Sequence, residues 1–453
     1  MKLRGLIIAA LILAALTGTL YWSNHHKPSE DTSKAAADLP PKILSLNESD
    51  ISRLAIRRKG EREVVLTKNA SGTWQITAPQ PLPADQEAVS SVLGTASSLN
   101  SEQLVDDKPA DIAQYGLAEP ALEIEITAKD KTQKLLVGGT TITGSSNYAA
   151  LAGDPRVFTI ANFNKTSLDK SAADLRDKRL LTADFDKVSQ IELLQQSAAK
   201  KQDITFGRAK DSWQILKPKP YRAESYQVDD LVRTLRDAKM ETSSNDDESK
   251  IAAAFKGASP FVTAKITGAS GTQELQIRKA KDDYYAKSSV IPGVFKVSAS
   301  LGTGLNKPID DFRNKKLFDF GYEEPDKIEI HDGAKSYFLT HSGSDWWGPD
   351  GKKLDSSTAE SLLDKLRDLS ATKFLDSGFT SPAIEITVIS NQNKRAEKVA
   401  IAKFEDSYIA KRQNEPALYE LTAASVSDLQ QAAAGLRPAP PPAPPAAPAA
   451  KKK

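Results

Sequence analysis

ISRLAI, at residues 51–56, returns as VSQIEL at residues 188–193 and as PDKIEI at residues 325–330. Each copy begins 137 residues after the one before it. Each copy ends in apolar residues that alternate with small or polar ones, a pattern that predicts a strand with one buried face. The chain therefore contains an internal repeat, and the repeat decides the fold.

Further landmarks follow each copy in the same order. A tryptophan hairpin comes first, then a capped helix, then a proline-led strand with alternating apolar residues, then three more strands and a closing helix. Helix caps are predicted where an acidic or hydroxyl residue precedes apolar residues at helical spacing, at Asp85, Asp229 and Ser356. Each repeat closes on an arginine motif that contains Arg176, Arg313 or Arg437.

These patterns predict an α+β fold. It consists of three tandem repeat modules of mainly antiparallel sheet with two helices each, preceded by one transmembrane helix. The predicted segments are an N-terminal membrane anchor (1–24), a flexible tether (25–45), module one (46–184), module two (185–321), a shortened module three (322–437) and a Pro/Ala-rich tail with a terminal lysine cluster (438–453). The tail is interpreted either as an extended spacer with a basic tip or as a disordered, solubilising terminus.

The N-terminus predicts the membrane anchor. Lys2 and Arg4 precede eighteen uncharged residues, Gly5–Trp22, which as a helix would span about 27 Å. The basic residues predict a cytoplasmic N-terminus, a single pass through a bacterial inner membrane and a periplasmic body. A cleaved signal peptide stays open as the alternative. The residues expected to contact lipid are Leu6, Ile7, Ile8, Leu11, Ile12, Leu13, Leu16, Leu20 and Trp22.

Composition excludes several kinds of site. The chain of 453 residues has no cysteine, so disulfides, thiolate metal sites and a cysteine nucleophile are excluded. Its formal net charge of +2 gives no field that would recruit nucleic acid, and the basic run Lys217–Arg222 is interpreted as a solvated loop. No zinc-binding H-E-x-x-H, phosphate-loop or G-x-S-x-G motif occurs. The sequence therefore predicts no catalytic residue, metal or cofactor, and no nucleic-acid partner.

Two sets of residues are candidates for binding or structural roles. The first set is the repeated tryptophans, Trp74, Trp213, Trp346 and Trp347. They are either core residues that pin a hairpin onto the sheet, which the repetition favours, or exposed platforms for sugar or peptide. The second set is Arg176 and Arg313, which stand at module junctions. They are expected to oppose a helix dipole or to fix the angle between modules.

The repeated landmarks resemble the bacterial domain of unknown function 4340. The resemblance covers residues 46–437 and is carried by the I-x-x-L-x-I strand, the W-x-I hairpin, the proline-led strand, the Y-x-A-K and V-F-x-V strands and the closing F-R-x-K-x-L. It implies an exported, membrane-anchored protein, often found beside ABC transporters of the gliding-motility type. The family offers no established active-site residues, and the Pro-Ala-Lys tail departs from its pattern.

Together these observations predict a non-catalytic, membrane-anchored cell-envelope protein. It is expected to act as a scaffold or accessory subunit, for example of an ABC-type transport complex, with the lipid bilayer and envelope proteins as partners. Two alternatives stay open: a binding module for cell-wall glycan or an exported polymer, and a hydrolase whose site is unrecognised.

Overall fold

The computed structural model describes residues 42–196, 201–210, 212–242 and 247–440, and it arranges their strands in three antiparallel sheets. The described residues form two compact units. One contains the residues through Lys178 together with Thr242, and the other contains Arg179–Glu241 and the residues from Asp247 onward. The first sheet belongs to the first unit, and the second and third sheets belong to the second unit.

The first sheet has nine strands in the order β4-β3-β2-β1-β6-β7-β8-β9-β5. Its strands are β1 (Ile51–Arg58), β2 (Val64–Lys68), β3 (Trp74–Ala78), β4 (Leu82–Pro83), β5 (Gln103–Asp106), β6 (Leu122–Ala128), β7 (Lys131–Thr140), β8 (Ser146–Leu151) and β9 (Val157–Ala161).

The second and third sheets have eight strands each, in the orders β13-β12-β11-β10-β14-β15-β16-β17 and β20-β19-β18-β22-β23-β24-β25-β21. The second consists of β10 (Val188–Gln196), β11 (Lys201–Ala209), β12 (Ser212–Lys217), β13 (Tyr221–Arg222), β14 (Ser259–Gly268), β15 (Gly271–Ala280), β16 (Asp283–Ser288) and β17 (Phe295–Val297). The third consists of β18 (Lys327–Asp332), β19 (Lys335–Ser342), β20 (Asp345–Trp347), β21 (Lys373–Leu375), β22 (Ile384–Ser390), β23 (Arg395–Phe404), β24 (Ser407–Arg412) and β25 (Leu418–Thr422).

The strands that carry the repeated hexapeptide, β1, β10 and β18, hold equivalent places. Each pairs on one side with the strand that leads to the tryptophan hairpin, and on the other with the proline-led strand. The registers are also equivalent, with the pairs Ile56↔Ile124, Leu193↔Ala264 and Ile330↔Ile386. We use these registers to define equivalent residues in the first, second and third repeats.

Nine α-helices lie in the described residues, and the prediction of two per module is wrong. The first repeat has three, the second four and the third two: α1 (Gln86–Ser97), α2 (Asn162–Leu168), α3 (Ala172–Leu175), α4 (Ser225–Arg236), α5 (Glu248–Gly257), α6 (Ala299–Gly304), α7 (Ile309–Phe312), α8 (Ser356–Asp368) and α9 (Ala423–Ala434). The closing helix is split in two repeats because new helix starts interrupt it. Ser171 and Asp174 form a capping box before α3, and Pro308 stands at the start of α7.

The membrane element of the predicted fold class is not seen in the part of the chain that the structure describes. Within the ranges that the structure describes, no helix combines the length and apolar character needed to cross a bilayer. The predicted anchor, residues 1–24, lies outside these ranges, as do most of the tether and residues 441–453 of the tail. What the described residues form is mainly antiparallel sheet with nine helices.

One of the three predicted helix caps is correct. The Asp85 carboxylate accepts hydrogen bonds from the backbone N–H groups of Glu87 and Ala88. Asp229 instead lies inside α4, because that helix begins a turn earlier and buries Val228. Ser356 is the first residue of α8, and the cap is its neighbour Asp355.

The first helix of each repeat packs its apolar stripe on the sheet. The stripe recurs at helical spacing, and each buried aliphatic side chain contributes about 1.5–3 kcal/mol. In α1, α4 and α8 the buried apolar residues are Val89, Val92, Leu93 and Ala96; Val228, Leu231 and Leu235; and Ala359, Leu362, Leu363 and Leu366.

Candidate functional site

A short leading segment begins each repeat, nine residues before the repeated hexapeptide. Its first residue forms an isolated antiparallel bridge with a residue that follows the first helix. The next two residues of the segment are buried and apolar. The bridges are Lys42↔Asn100, Arg179↔Lys239 and Lys316↔Ser370, so the 137-residue spacing holds here too. Sequence reasoning missed this element, although the triplets KIL, RLL and KLF were available to indicate it.

The closing segment of each repeat returns to the start of its own first helix. The N–H groups of Asp85 and Glu224 donate to the carbonyls of Leu175 and Phe312, each over 2.8 Å. In the third repeat the N–H of Asp355 donates to the carbonyl of Arg437, over 2.9 Å. The third arginine motif is therefore one residue out of register, and Pro438 occupies the place of Arg176 and Arg313.

In the second repeat the closing segment leads directly into the third repeat. Only two residues separate Arg313 from Lys316, the first residue of the third leading segment. The side chains that meet here form the joint. We define the joint as Arg222 and Arg313 of the second repeat, Asp319 of the third leading segment, and Phe374, Arg395, Glu397, Arg412, Glu415 and Tyr419 of the third sheet and its loops.

Arg313 connects two repeats through aromatic rings. Its guanidinium carbon lies 4.1 Å from the ring centre of Tyr221 in the second repeat and 3.5 Å from that of Phe374 in the third. Only 9% of the Arg313 side chain is exposed, and Nη1 lies 3.0 Å from the Asp310 carboxylate. A cation held between two ring faces gains electrostatic attraction that strengthens as water is excluded.

Arg222 connects the same repeats through charge. Its Nη1 lies 2.5 Å from Oδ2 of Asp319, and its Nε lies 2.9 Å from Oε1 of Glu415. Nη2 donates to the carbonyl of Lys316 and, over 3.3 Å, to the Tyr419 hydroxyl. Burial opposes the charge of Arg222, but Asp319, Tyr419 and Glu415 outweigh it and raise the pKa of the guanidinium.

Tyr419 responds to the same surroundings. Its hydroxyl donates to Oε2 of Glu415 over 2.7 Å. Burial raises the pKa of Tyr419 to about 12, since the positive charge of Arg222 only partly offsets burial and the negative charge of Glu415. The phenol is therefore neutral at physiological pH and serves as a hydrogen-bond donor.

Arg412 and Glu397 form the buried floor of the joint. Nη2 of Arg412 lies 3.1 Å from Oε1 of Glu397, and its Nε lies 2.8 Å from Oε1 of Glu415. Nη1 of Arg412 donates to the carbonyl of Leu317, and Oε1 of Glu397 accepts the N–H of Asp319 over 3.0 Å. Ions buried this deeply are tolerated only when they are paired and hydrogen-bonded.

The second repeat places neutral groups where the third uses ions. The Ser288 hydroxyl, at the position of Arg412, donates to the carbonyl of Leu180 over 2.5 Å. The Gln273 carboxamide, at the position of Glu397, accepts the N–H of Thr182 over 2.9 Å. Both repeats thus bind their leading segment at equivalent atoms. In the third repeat Arg412 also binds Glu415, which in turn binds Arg222.

The basic run that was interpreted as a solvated loop is only partly one. Lys217, Pro218, Lys219 and Pro220 are exposed. Lys217 is the last residue of β12, and Tyr221 and Arg222 form β13, so the interpretation as a loop is wrong for these three residues. Arg222 also belongs to the joint. Local sequence could not indicate this, because the acidic partners of Arg222 lie about a hundred residues or more away.

Three of the four candidate tryptophans are buried. Trp74, Trp213 and Trp346 lie in the cores of their repeats, whereas Trp347 is 36% exposed. Each buried ring has a basic residue as its direct cross-strand neighbour. These neighbours are Lys68, Arg208 and His341. The Lys68 Nζ and the Arg208 guanidinium carbon lie 5.9 and 5.7 Å from the centres of their tryptophan rings, and the ring centres of His341 and Trp346 lie 4.9 Å apart. A buried ring face cannot stack on a sugar, so the pattern fits a role in packing.

A shallow groove lies between the first helix and the closing helix of each repeat. Its volume is about 520 Å³ in the first repeat, 400 Å³ in the second and 350 Å³ in the third. The lining chemistry differs between repeats. Hydroxyl groups and the exposed Phe163 line the first groove, several charged residues line the second, and the Lys365–Asp428 ion pair lies in the third. The repetition therefore does not indicate one ligand bound three times.

The joint suits mechanical connection better than chemistry. Its arginines and carboxylates neutralise one another, and its tyrosine stays protonated. Among the residues that the structure describes, no group of three or more histidine, cysteine, aspartate or glutamate side chains could hold a metal ion. Of the predicted residues, Arg313 lies in the joint, Arg176 holds the equivalent position at the end of α3, and the tryptophans lie elsewhere.

Comparison with known proteins identifies one family. The family model described as "Domain of unknown function (DUF4340)" matches residues 74–253 and again residues 213–387. Together the matches cover more than half of the chain and confirm the resemblance. They begin at Trp74 and at Trp213, which are equivalent residues of successive repeats. No curated protein and no solved structure matches the chain.

Proposed function

The chain belongs to the DUF4340 family, and from this premise we propose that it is a non-catalytic scaffold or accessory subunit of a cell-envelope complex. The observation that carries the proposal is the joint. A scaffold must hold its modules at fixed angles, and the joint combines a stacked cation with buried, mutually neutralised ions. A change of orientation would take the cations Arg222 and Arg313 away from the carboxylates and the ring that they contact in the next repeat, so the joint favours a single orientation.

The proposed place of action is the periplasmic side of the bacterial inner membrane. The support is the N-terminal sequence, in which basic residues precede an uncharged apolar run, a pattern typical of signal anchors and export signals. The proposed partner is an ABC-type transport complex, and the support for it is the family resemblance. Fractionation of cells into cytoplasm, periplasm and membranes tests the location, and recovery of the chain in the cytoplasm would contradict it.

The glycan-binding alternative has less support than this proposal. It rests on the repeated tryptophans and on the basic tail. Of the four tryptophans only Trp347 exposes much of its surface, and the terminal lysines lie outside the described residues. The unequal linings of the three grooves give it no further support.

Affinity capture from detergent-solubilised membranes tests the proposal. The full chain carries an affinity tag, and captured proteins are identified by mass spectrometry. We expect a transporter or another envelope protein to be enriched by the native chain and by Arg57→Met, which alters a surface ion pair of the first repeat. We expect Arg222→Met to reduce the enrichment, because it removes the central cation of the joint. Capture of no envelope protein by the native chain would refute the proposal.

A further inference from the structure

Two large apolar side chains are exposed to solvent at one corner of the first repeat. Ile142, in the loop between β7 and β8, is fully exposed, and Phe163, in the first turn of α2, is 70% exposed. The two segments are bonded to each other: Asn162 donates its backbone N–H to the carbonyl of Ser145 over 3.2 Å and its side-chain amide to that of Gly144 over 2.7 Å. We define Ile142 and Phe163 as the apolar tip. Exposed apolar residues that occur together, unlike scattered ones, indicate a contact surface.

The segments that build this corner are uncharged. They belong to α1, to the β7–β8 hairpin and to β9 with the start of α2, and they contain no charged residue at positions 88–101, 135–153 and 157–164. Of the described residues that line the groove beside Phe163, only Glu102 is charged, and its Oε2 accepts a hydrogen bond from Oγ of Ser146 over 2.5 Å. An apolar contact at the tip would therefore not require a charged side chain to leave water, which is costly.

The other two repeats have polar or small residues at the positions of the tip. The loop of the tip has five residues, whereas the equivalent loops have two, both charged: Lys281–Asp282 and Glu405–Asp406. The registers of the last strands make Phe163 equivalent to Ser300 and Ala424. The tip is therefore a feature of the first repeat, which is the repeat nearest the N-terminus.

The same corner receives the chain from its N-terminal segment. Lys42, the first described residue, forms its bridge with Asn100, and Asn100 lines the same groove as Phe163. The uncharged apolar run Gly5–Trp22 ends nineteen residues before Lys42, a length that reaches at most about 65 Å. With that run held at a bilayer, as the proposed location requires, the first repeat stays within this distance and its tip meets the lipid surface at a high effective concentration.

We propose that the apolar tip is a membrane contact, with Ile142 and Phe163 entering the interfacial region of the bilayer. The inference rests on the proposed location at the inner membrane and adds a second point of attachment, which orients the first repeat on the lipid surface. A bilayer suits the tip better than a separate protein does. A stable protein interface buries about 1,200–2,000 Å² and has to offset the loss of translational and rotational freedom. Two side chains suffice for a surface that the N-terminal segment already keeps within reach.

Quenching of a fluorescent reporter by lipid tests the contact, since the native chain has no cysteine and a single one can be labelled. Full-length Thr143→Cys carries the dye and is reconstituted into phosphatidylethanolamine–phosphatidylglycerol vesicles that contain nitroxide-labelled lipid. We expect strong quenching, which Ile142→Ser with Phe163→Ser abolishes. Tyr226→Ser, at a 66% exposed position of α4, should leave the quenching unchanged. A dye at Lys281→Cys, in the equivalent loop of the second repeat, should stay unquenched.

Flotation of the same vesicles separates this inference from the proposed location. A chain that does not float with the vesicles contradicts the location and the membrane contact together. A chain that floats with an unquenched dye at position 143, or with quenching that survives the double substitution, overturns the membrane contact alone.

A photoreactive amino acid in place of Ile142 distinguishes lipid from protein in intact cells. We expect adducts with lipid, identified by mass spectrometry of the full chain. A protein-sized adduct that the same probe at Tyr226 does not give would assign the tip to a protein partner and would overturn the proposal.

Discussion

Arg222 and Arg313 extend from the same repeat and reach the next one by different chemistry. Arg313 lies between two aromatic rings, whereas Arg222 lies among carboxylates. The sequence predicted a junction role for Arg313, because its motif recurs at the end of a repeat. It could not predict the role of Arg222, because its partners Asp319 and Glu415 are distant in the chain and no sequence motif connects them with Arg222.

Replacing Arg222 is expected to destabilise the second unit strongly. In Arg222→Met the carboxylates of Asp319 and Glu415 lose their shared cation in a poorly solvated site. Removal of one partner from a buried pair costs about 3–5 kcal/mol, and we expect the lower end because 18% of Arg222 is exposed. Arg57→Met, at a 50% exposed surface pair, should change stability by about 1 kcal/mol or less. Chemical denaturation of the full chain measures both, and equal effects would contradict a buried joint.

The raised pKa of Tyr419 predicts that the folded chain loses stability at alkaline pH. Its pKa is raised to about 12 in the folded chain, compared with about 10 for an unfolded tyrosine. The folded state therefore retains a proton that the unfolded state releases, so the contribution is complete below pH 10 and is lost between about pH 10 and 12. Tyr419→Phe should be less stable at neutral pH, because the bond to Glu415 is absent, but should lose less stability across that interval. Parallel pH dependence of the two proteins would contradict the assignment.

The tryptophan hairpin is the element that the sequence predicted best. Its position and its burial in the core follow from a ring that recurs in all three repeats. The basic cross-strand neighbour was not predicted, because Lys68, Arg208 and His341 differ in type and are recognised as equivalent only through the strand register. Helix ends were harder to predict, since several adjacent polar residues could serve as the cap.

Neighbouring tryptophans on β20 provide a matched test of this element. Trp346→Ala should destabilise the third repeat by about 3–5 kcal/mol, because it empties a buried site. Trp347→Ala, one residue along and partly exposed, should cost about 0.5 kcal/mol or less. Thermal unfolding of the two variants compares them directly. A larger effect at Trp347 would mean that the two rings have been assigned to the wrong faces of the strand.

At the scale of the whole molecule, the 137-residue repeat predicted three copies of a mainly antiparallel sheet, and the structure has three such sheets with the repeated hexapeptide at equivalent places. It did not predict that Pro438, and not Arg437, occupies the place of Arg176 and Arg313. It also did not predict the split closing helices or the leading segments. These features depend on capping, on proline and on backbone bridges between segments far apart in sequence. The joint escaped prediction for a further reason: the second repeat has Ser288 and Gln273 at the positions of Arg412 and Glu397, so the repetition carried no signal for these two charges.

We infer that the joint holds the second and third repeats at one fixed orientation. The distance between spin labels at Lys265→Cys on β14 and Lys398→Cys on β23, two exposed strand positions, measures it most directly. Pulsed electron paramagnetic resonance of the full chain should give a single narrow distance distribution, and Arg222→Met should broaden it. A broad or multiple distribution in the native chain, unchanged by Arg222→Met, would contradict the claim.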